Sequence, residues 1–345
     1  MLLYKCSVLV LLAAPFVKLN HFRGGLLSWK AINETQITVH HRLSFVYNDS
    51  CPNRNSSATL ICFPGGGCND STTMIGLCTE SNSTENWADS EGDTNFTITN
   101  STSTNVYFIG YTGDWISLVN ASSISSLRIK VNVSTRTDTG RINQSPVSVM
   151  ASSVKIRSSC GIANIEIPVV DFDGDYIRCR FPITTEECGD ICNSTSTYFS
   201  FIGTSCALTT GLMPDGDYVV AVQIEDFTSI LSSTALSSIP LQFIVTVNSS
   251  GSCYIDPYFK SNTYPEGSVI QFFNGIQQQI KPTVIVYDRP EIITKFHILS
   301  PLNFTMSNIS NPMADEYETT ILLAETSENE IGLYNLCFSA ESNYR

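Results

Sequence analysis

The chain has 345 residues, 42% of them hydrophobic and only 15% charged, with a formal net charge of −13. That composition is globular rather than disordered, and the length suffices for two or three ordinary domains. With no Lys/Arg stripe or cluster, it excludes a nucleic-acid binder and a protein held on an anionic membrane by basic residues.

Met1 to Lys5 reads as a short basic n-region, and Cys6 to Val17 as an apolar stretch too short to span a bilayer. Residues 1–20 are therefore expected to be a secretory signal, cleaved between Ala14 and Asn20, and the chain to be extracellular. No later segment approaches the roughly 18 apolar residues of a membrane helix, so no membrane insertion is expected of this chain.

The first unit, residues 21–150, opens with "TQITVHHRLSFV", which puts Ile37, Val39, His41, Leu43 and Phe45 on one face of a strand. His40 and His41 then point to opposite faces and cannot share a ligand as a pair. Cys51, Cys62, Cys68 and Cys78 are expected to form disulfides, in one of three pairings that the sequence leaves open. Within them "FPGGGCND" reads as a glycine turn stapled by a disulfide, since the Lys of a phosphate loop is missing. Trp29, Trp87 and Trp115 have two readings, a sugar-stacking platform or core residues of a sandwich. "SLRIKVNV" aligns Leu127, Ile129, Val131 and Val133 on a second strand face. Asp138-Thr139-Gly140 is the tripeptide of aspartic proteases, but that chemistry needs a second copy and the chain has none. "GRINQSPVSVMASS", residues 140–153, reads as a polar connector.

The second unit, 154–248, alternates in "IANIEIPVV", aligning Ile165, Ile167 and Val169, and in "DYVVAVQIED", aligning Tyr218, Val220, Val222 and Ile224. Cys160, Cys179, Cys188, Cys192, Cys206 and Cys253 are expected in disulfides; no C-x-x-C occurs, and His21, His40, His41 and His297 are not spaced for zinc. "VVDFDGDYIRC" spaces Asp171, Asp173 and Asp175 around Gly174. It is not an EF-hand, because Gly is fourth and Pro182 twelfth. It is a turn between strands, and two readings stay open. One is a plain Asp/Gly turn. The other is a calcium junction, with Asp171, Asp173 and Asp175 converging with Asp215 and Asp217 of a second turn and Asp256 of the exit linker.

Gly216-x-Tyr218 and Gly332-x-Tyr334 each lead into a strand, the pattern of an Ig-type tyrosine corner. If Tyr334 opens the sixth strand of a third unit, 253–345, no residues follow for the seventh. Cys337 then has its partner downstream. This predicts the N-terminal piece of a longer protein, or a shortened reading of its gene. With no amphipathic helix of ten residues found, the expected class is all-β: tandem antiparallel Ig-/cadherin-like sandwiches, the third incomplete.

Fourteen N-x-S/T sequons are present, at Asn33, Asn48, Asn55, Asn69, Asn82, Asn95, Asn100, Asn120, Asn132, Asn143, Asn193, Asn248, Asn303 and Asn308. Ten precede residue 150, so the first unit is expected to carry most of the glycan; Pro146 disfavours use of Asn143.

The succession "HFRGGLLSWKAINETQITVHHRLSF", "TENWADSEGD", "STRTDTGRINQSP", "IEIPVVDFDGDYIRCRF", "EECGDIC" and "GDYVVAVQIEDF…LSSIPLQFIVTV" resembles large modular extracellular proteins of invertebrate animals. These are strings of Ig- or cadherin-like sandwiches that often continue into EGF repeats. "GLYNLCFSAES" carries the resemblance into the third unit. It implies adhesion or matrix recognition, with an extracellular protein or glycan as ligand and no catalytic residue. The alternative is a lectin-like or immune-type reader with a sugar site in the first unit. No cofactor is expected beyond calcium at the aspartates.

Overall fold

A computed structural model describes residues 21–47, 55–99, 105–116, 118, 124–192, 194–202, 205–249, 257–265, 268, 270–271, 279–287, 291–299, 304–323 and 336–342. The protein is all-β, made of antiparallel sandwich layers. In the first unit the strands are β1 (Phe22–Asn33), β2 (Gln36–Phe45), β3 (Asn55–Cys62), β4 (Ser71–Asn82), β5 (Trp87–Thr97), β6 (Val106–Asp114) and β7 (Ile124–Asn132). The connector holds β8 (Val147–Ser148), and the second unit adds β9 (Ser153–Arg157), β10 (Asn164–Glu166), β11 (Val169–Val170), β12 (Tyr176–Arg180), one helical turn α1 (Thr185–Cys188), β13 (Phe199–Phe201), β14 (Ala207–Thr210), β15 (Gly216–Phe227) and β16 (Ser237–Asn248).

The period-two stripes are where the sequence puts them. Ile37, Val39, His41, Leu43 and Phe45 are all buried, as are Leu127, Ile129, Val131 and Val133. The β1–β2 turn forms because the Asn33 side chain accepts the Thr35 backbone N–H at 2.9 Å, an Asx turn. Phe22 anchors the interior, edge-on to Trp115 at 4.8 Å and Phe45 at 6.0 Å between ring centres.

One strand joins the two units. The main sheet runs β1-β2-β5-β4-β3-β6-β7-β16-β15-β12, and β16 also pairs β1. A single edge of β16 meets β7 at Ser238, β1 at Leu241 and Gln242, and β9, in parallel, from Ile244 to Asn248. The strand path of the first unit thus closes on itself through a strand of the second, and one hydrophobic cluster runs from Phe22 to Val247. Gly24 makes the close approach possible: at φ +149° a Cβ there would lie 2.6 Å from the Gln242 carbonyl oxygen.

This closure changes two expectations. β15 was expected to bury one face, yet Val219, Ala221 and Gln223 are as buried as Val220 and Val222. A strand covered on both sides shows no alternation in burial. The connector 140–153 is not a solvated linker either: Asn143, Ser145, Ser148, Met150 and Ser152 are buried. Its polar side chains are satisfied internally, with Ser145 Oγ accepting the Trp29 N–H at 2.8 Å and Ser152 Oγ donating to Asp89 at 3.0 Å.

Disulfides join Cys62 to Cys68, Cys179 to Cys206 and Cys188 to Cys192; Cys78 and Cys160 are disulfide-bonded as well. The first staples the glycine turn as expected. Gly65 and Gly67 take positive φ, and a Cβ on Gly66 would lie 2.6 Å from the Phe108 carbonyl oxygen. Cys51 and Cys253 lie outside the described residues.

The third unit holds β17 (Tyr258–Phe259), β18 (Gln279–Ile280), β19 (Thr283–Ile285), β20 (Ile293–Leu299), β21 (Phe304–Met306), β22 (Ser310–Met313), β23 (Glu316–Glu318), β24 (Ile321–Leu323) and β25 (Cys337–Ser342). Its own small core is Val284, Val286, Ile293 and Phe296. Tyr334 lies outside the described residues.

Candidate binding surface

β15 and β16 form one long hairpin, paired from Gly216–Val247 to Asp226–Ser237. Its loop, residues 228–236, leaves Ile230 63% and Leu231 91% exposed. The loop is held in shape nonetheless. Arg178 of β12 donates to the carbonyls of Ser232 at 2.9 Å and Ile230 at 2.5 Å, while its guanidinium lies 4.1 Å from the Phe227 ring centre. Hydroxyl contacts from Ser232 to Thr228 (2.6 Å) and Ser229 (3.0 Å) close the tip. The sequence from Phe227 to Leu236 carries no charge. Two aliphatic side chains therefore stand on an ordered, uncharged tip, and recognition favours that arrangement because little entropy remains to be lost on binding.

The DFDGD turn supports the same end of the hairpin, since β12 begins at Tyr176, opposite Phe227. Gly174 sits at φ +81°, where only glycine is at ease. Asp171 organises the turn by accepting the backbone N–H of Asp173 at 2.9 Å and of Asp175 at 3.1 Å. Asp173 accepts the Gln144 N–H at 2.8 Å. Asp175 receives both arms of the Arg136 guanidinium, one at 2.8 Å. Arg136 also donates to Asn143 Oδ1 at 2.8 Å, and Asn143 Nδ2 donates to Asp226 Oδ2 at 2.6 Å. Asp226 takes the Ser237 N–H at 2.7 Å and its hydroxyl at 2.6 Å. A chain of hydrogen bonds thus runs from residues 136–144 through the turn to the base of the hairpin.

Burial, with neighbouring Asp226, Asp175 and Asp173, pushes the Asp171 carboxyl up to about 7. Burial raises Asp226 too, against the pull of the Ser237 and Asn143 donors. The hydrogen bonds to Asp175 and Asp138 hold the Arg136 guanidinium charged.

Oxygens of Asp171, Asp175 and Asp226 lie within 4.8 Å of one another. A divalent cation does not fit them as they stand: Asp175 already faces the two nitrogens of Arg136, and both Asp226 oxygens accept protein donors. The expected wider convergence also fails. Asp215 and Asp217 lie at the opposite end of β15, bonded to Ser249 and Thr246, and nine residues of strand put Asp217 about 30 Å from Asp226. Asp256 lies outside the described residues.

The other expected residues divide cleanly. Trp29, Trp87 and Trp115 are all buried, so they are core residues and make no sugar platform. Asn33, Asn69, Asn95, Asn248 and Asn308 are exposed, and Asn82 and Asn132 half-buried. Asn143 is a correction: it is 2% exposed with its amide nitrogen engaged, which leaves no room for a glycan in the folded chain. Asn48, Asn100, Asn120, Asn193 and Asn303, and the side chain of Asn55, lie outside what the structure describes. Tyr218 forms the tyrosine corner, its hydroxyl donating to the Pro214 carbonyl at 2.9 Å. Arg136, Asp226 and Arg178 carry no recognisable motif in the sequence, and Asn143 stands out there only as a sequon. "STRTDTGRIN" holds the only visible hint, a basic residue beside a turn in a chain poor in charge.

No protein-family model matches the chain, and no curated protein matches it in sequence. Among solved structures it aligns with three Ig domains of titin, I67–I69, in a Glu-to-Ala variant: 11% identity, 93% of this chain, 96% of that one, TM-score 0.18. Two marsupial T cell receptor structures align at 9% identity. They cover 91% and 93% of this chain and 99% of theirs, with TM-scores of 0.19 and 0.17. Superpositions that loose carry no argument; the all-β class rests on the strands themselves.

Proposed function

We propose that the protein is a secreted, glycosylated module of extracellular adhesion or matrix recognition, and that it works by binding rather than catalysis. The observation that carries this reading is the pinned, uncharged hairpin tip with Ile230 and Leu231 held in solvent. Loops fixed on a rigid β scaffold are where sandwich proteins place their recognition residues. The N-terminal signal pattern, the exposed sequons and the disulfides support an extracellular address. The resemblance to modular invertebrate extracellular proteins supports the same role. No helix among the described residues is long and apolar enough to cross a membrane. An apolar tip suits a protein ligand, and with the three tryptophans buried the sugar-reading alternative loses its platform.

The test is a multimerised form of the secreted chain, screened against extracellular proteins and a glycan array. The expected result is a protein ligand whose affinity falls at least tenfold in an Ile230→Ser/Leu231→Ser variant with unchanged melting temperature. Ligand binding indifferent to that variant overturns the tip. Sugar-specific binding on the array transfers the function to the lectin-like reading.

A further inference from the structure

The interior stripe of β2 has one member of the wrong chemistry. Ile37, Val39, Leu43 and Phe45 are hydrocarbon; between them stands His41, 1% exposed, with neither ring nitrogen in a hydrogen bond. Its partner across β5 is Gly92, and the imidazole fills the space a side chain would take there. A Cβ on Gly92 would lie 3.0 Å from His41 Cε1 and 3.1 Å from Nε2. Across β1 the partner is buried Leu27, which offers no polar atom.

The charged groups nearby are already committed. His40, the next residue, bonds Asp93 of β5 at 3.0 Å; Glu91 of β5 pairs with Arg42 at 3.2 Å. A neutral imidazole survives in such a place. An imidazolium does not, because among the described residues neither ring nitrogen has an acceptor, and Asp93 and Glu91, the carboxylates that act on it, are bonded to His40 and Arg42. Burial and the His40 charge push His41 down to about 4; Asp93, Glu91 and the Val39 backbone oppose that without cancelling it.

We propose that His41 is an acid-operated trigger: its protonation breaks the β2–β5 pairing and opens the first unit while the β15–β16 hairpin keeps its structure. The sign follows from proton linkage. The folded form holds its proton less tightly than the open form, so the pairing is at full strength above pH 6.5 and weakens as pH falls toward 4. Between pH 7.4 and 5.0 the opening constant rises on the order of thirtyfold.

Hydrogen exchange followed by mass spectrometry on the full secreted chain tests this, with rates corrected for intrinsic pH dependence. Peptides from residues 36–45 and 87–97 are expected to lose protection by roughly that factor, peptides from 216–248 to stay protected, and a His41→Phe variant to abolish the loss. Equal loss in His41→Phe, or none in the wild type, overturns the proposal. Where His41→Phe does not fold, an NMR titration of the His41 ring in the wild type decides: an ordinary midpoint near 6.5 in the folded protein also overturns it.

Discussion

His41 in the first unit and Asp171 in the second are both buried and both ionisable, yet burial acts on them in opposite senses. His41 has a glycine and a leucine as cross-strand partners and no bond to either ring nitrogen. Asp171 accepts two backbone N–H groups and sits beside Asp175, which Arg136 holds, and Asp226, which Asn143 and Ser237 hold. For the base, losing water disfavours the proton; for the acid, it favours one. Acidification therefore weakens the first unit through His41. It strengthens the turn end of the second through Asp171, whose folded form binds its proton more tightly than the unfolded chain does.

The comparison breaks most directly at Arg136. Arg136→Ala leaves Asp175 buried without its cation and makes the turn end as unsupported as His41. Urea unfolding should show a loss of about 3 to 5 kcal/mol. Next is Asp171→Asn. From pH 8 to 5 the wild-type carboxyl should add about 2 to 3 kcal/mol to stability. The variant should lack that gain, leaving the His41 loss uncompensated and the protein more acid-labile; parallel pH–stability curves for the two proteins would count against it. Tyr218→Phe, at the other end of β15, removes one neutral hydrogen bond and should cost about 1 kcal/mol, with no change in pH dependence. Smallest of all, millimolar calcium should leave the melting temperature unmoved in wild type, because Arg136 already occupies the aspartates. A shift of several degrees, lost in Asp175→Asn, would show that the cation displaces Arg136.

Much of the fold was legible where neighbours in sequence decide the structure, although Arg42 and Ser44 show that β2 too is covered on both faces toward its end. The stripes on β2 and β7, the stapled glycine turn and the Tyr218 corner follow from local pattern, since local pattern fixes them. β15 was half-read because its second cover comes from elsewhere in the chain, and no periodicity records a distant neighbour. The aspartates were read as a set and turned out to be two sets, because topology rather than spacing decides which end of a strand a turn occupies. Asn143 belongs to the stretch that reads as a connector, and Arg136 lies just before it; their meaning depends on Asp175 and Asp226, and only the folded chain supplies those.

The shared edge of β16 also sets an order of events during synthesis. Strands β1 to β7 leave the ribosome before the strand that closes their ring exists. Asn143 emerges 83 residues ahead of Asp226, the group that will lock its amide away. For that interval the chain of hydrogen bonds from Arg136 through Asn143 to Asp226 cannot form. Final folding of the first unit therefore waits on translation of the second, and the arrival of β16 completes it.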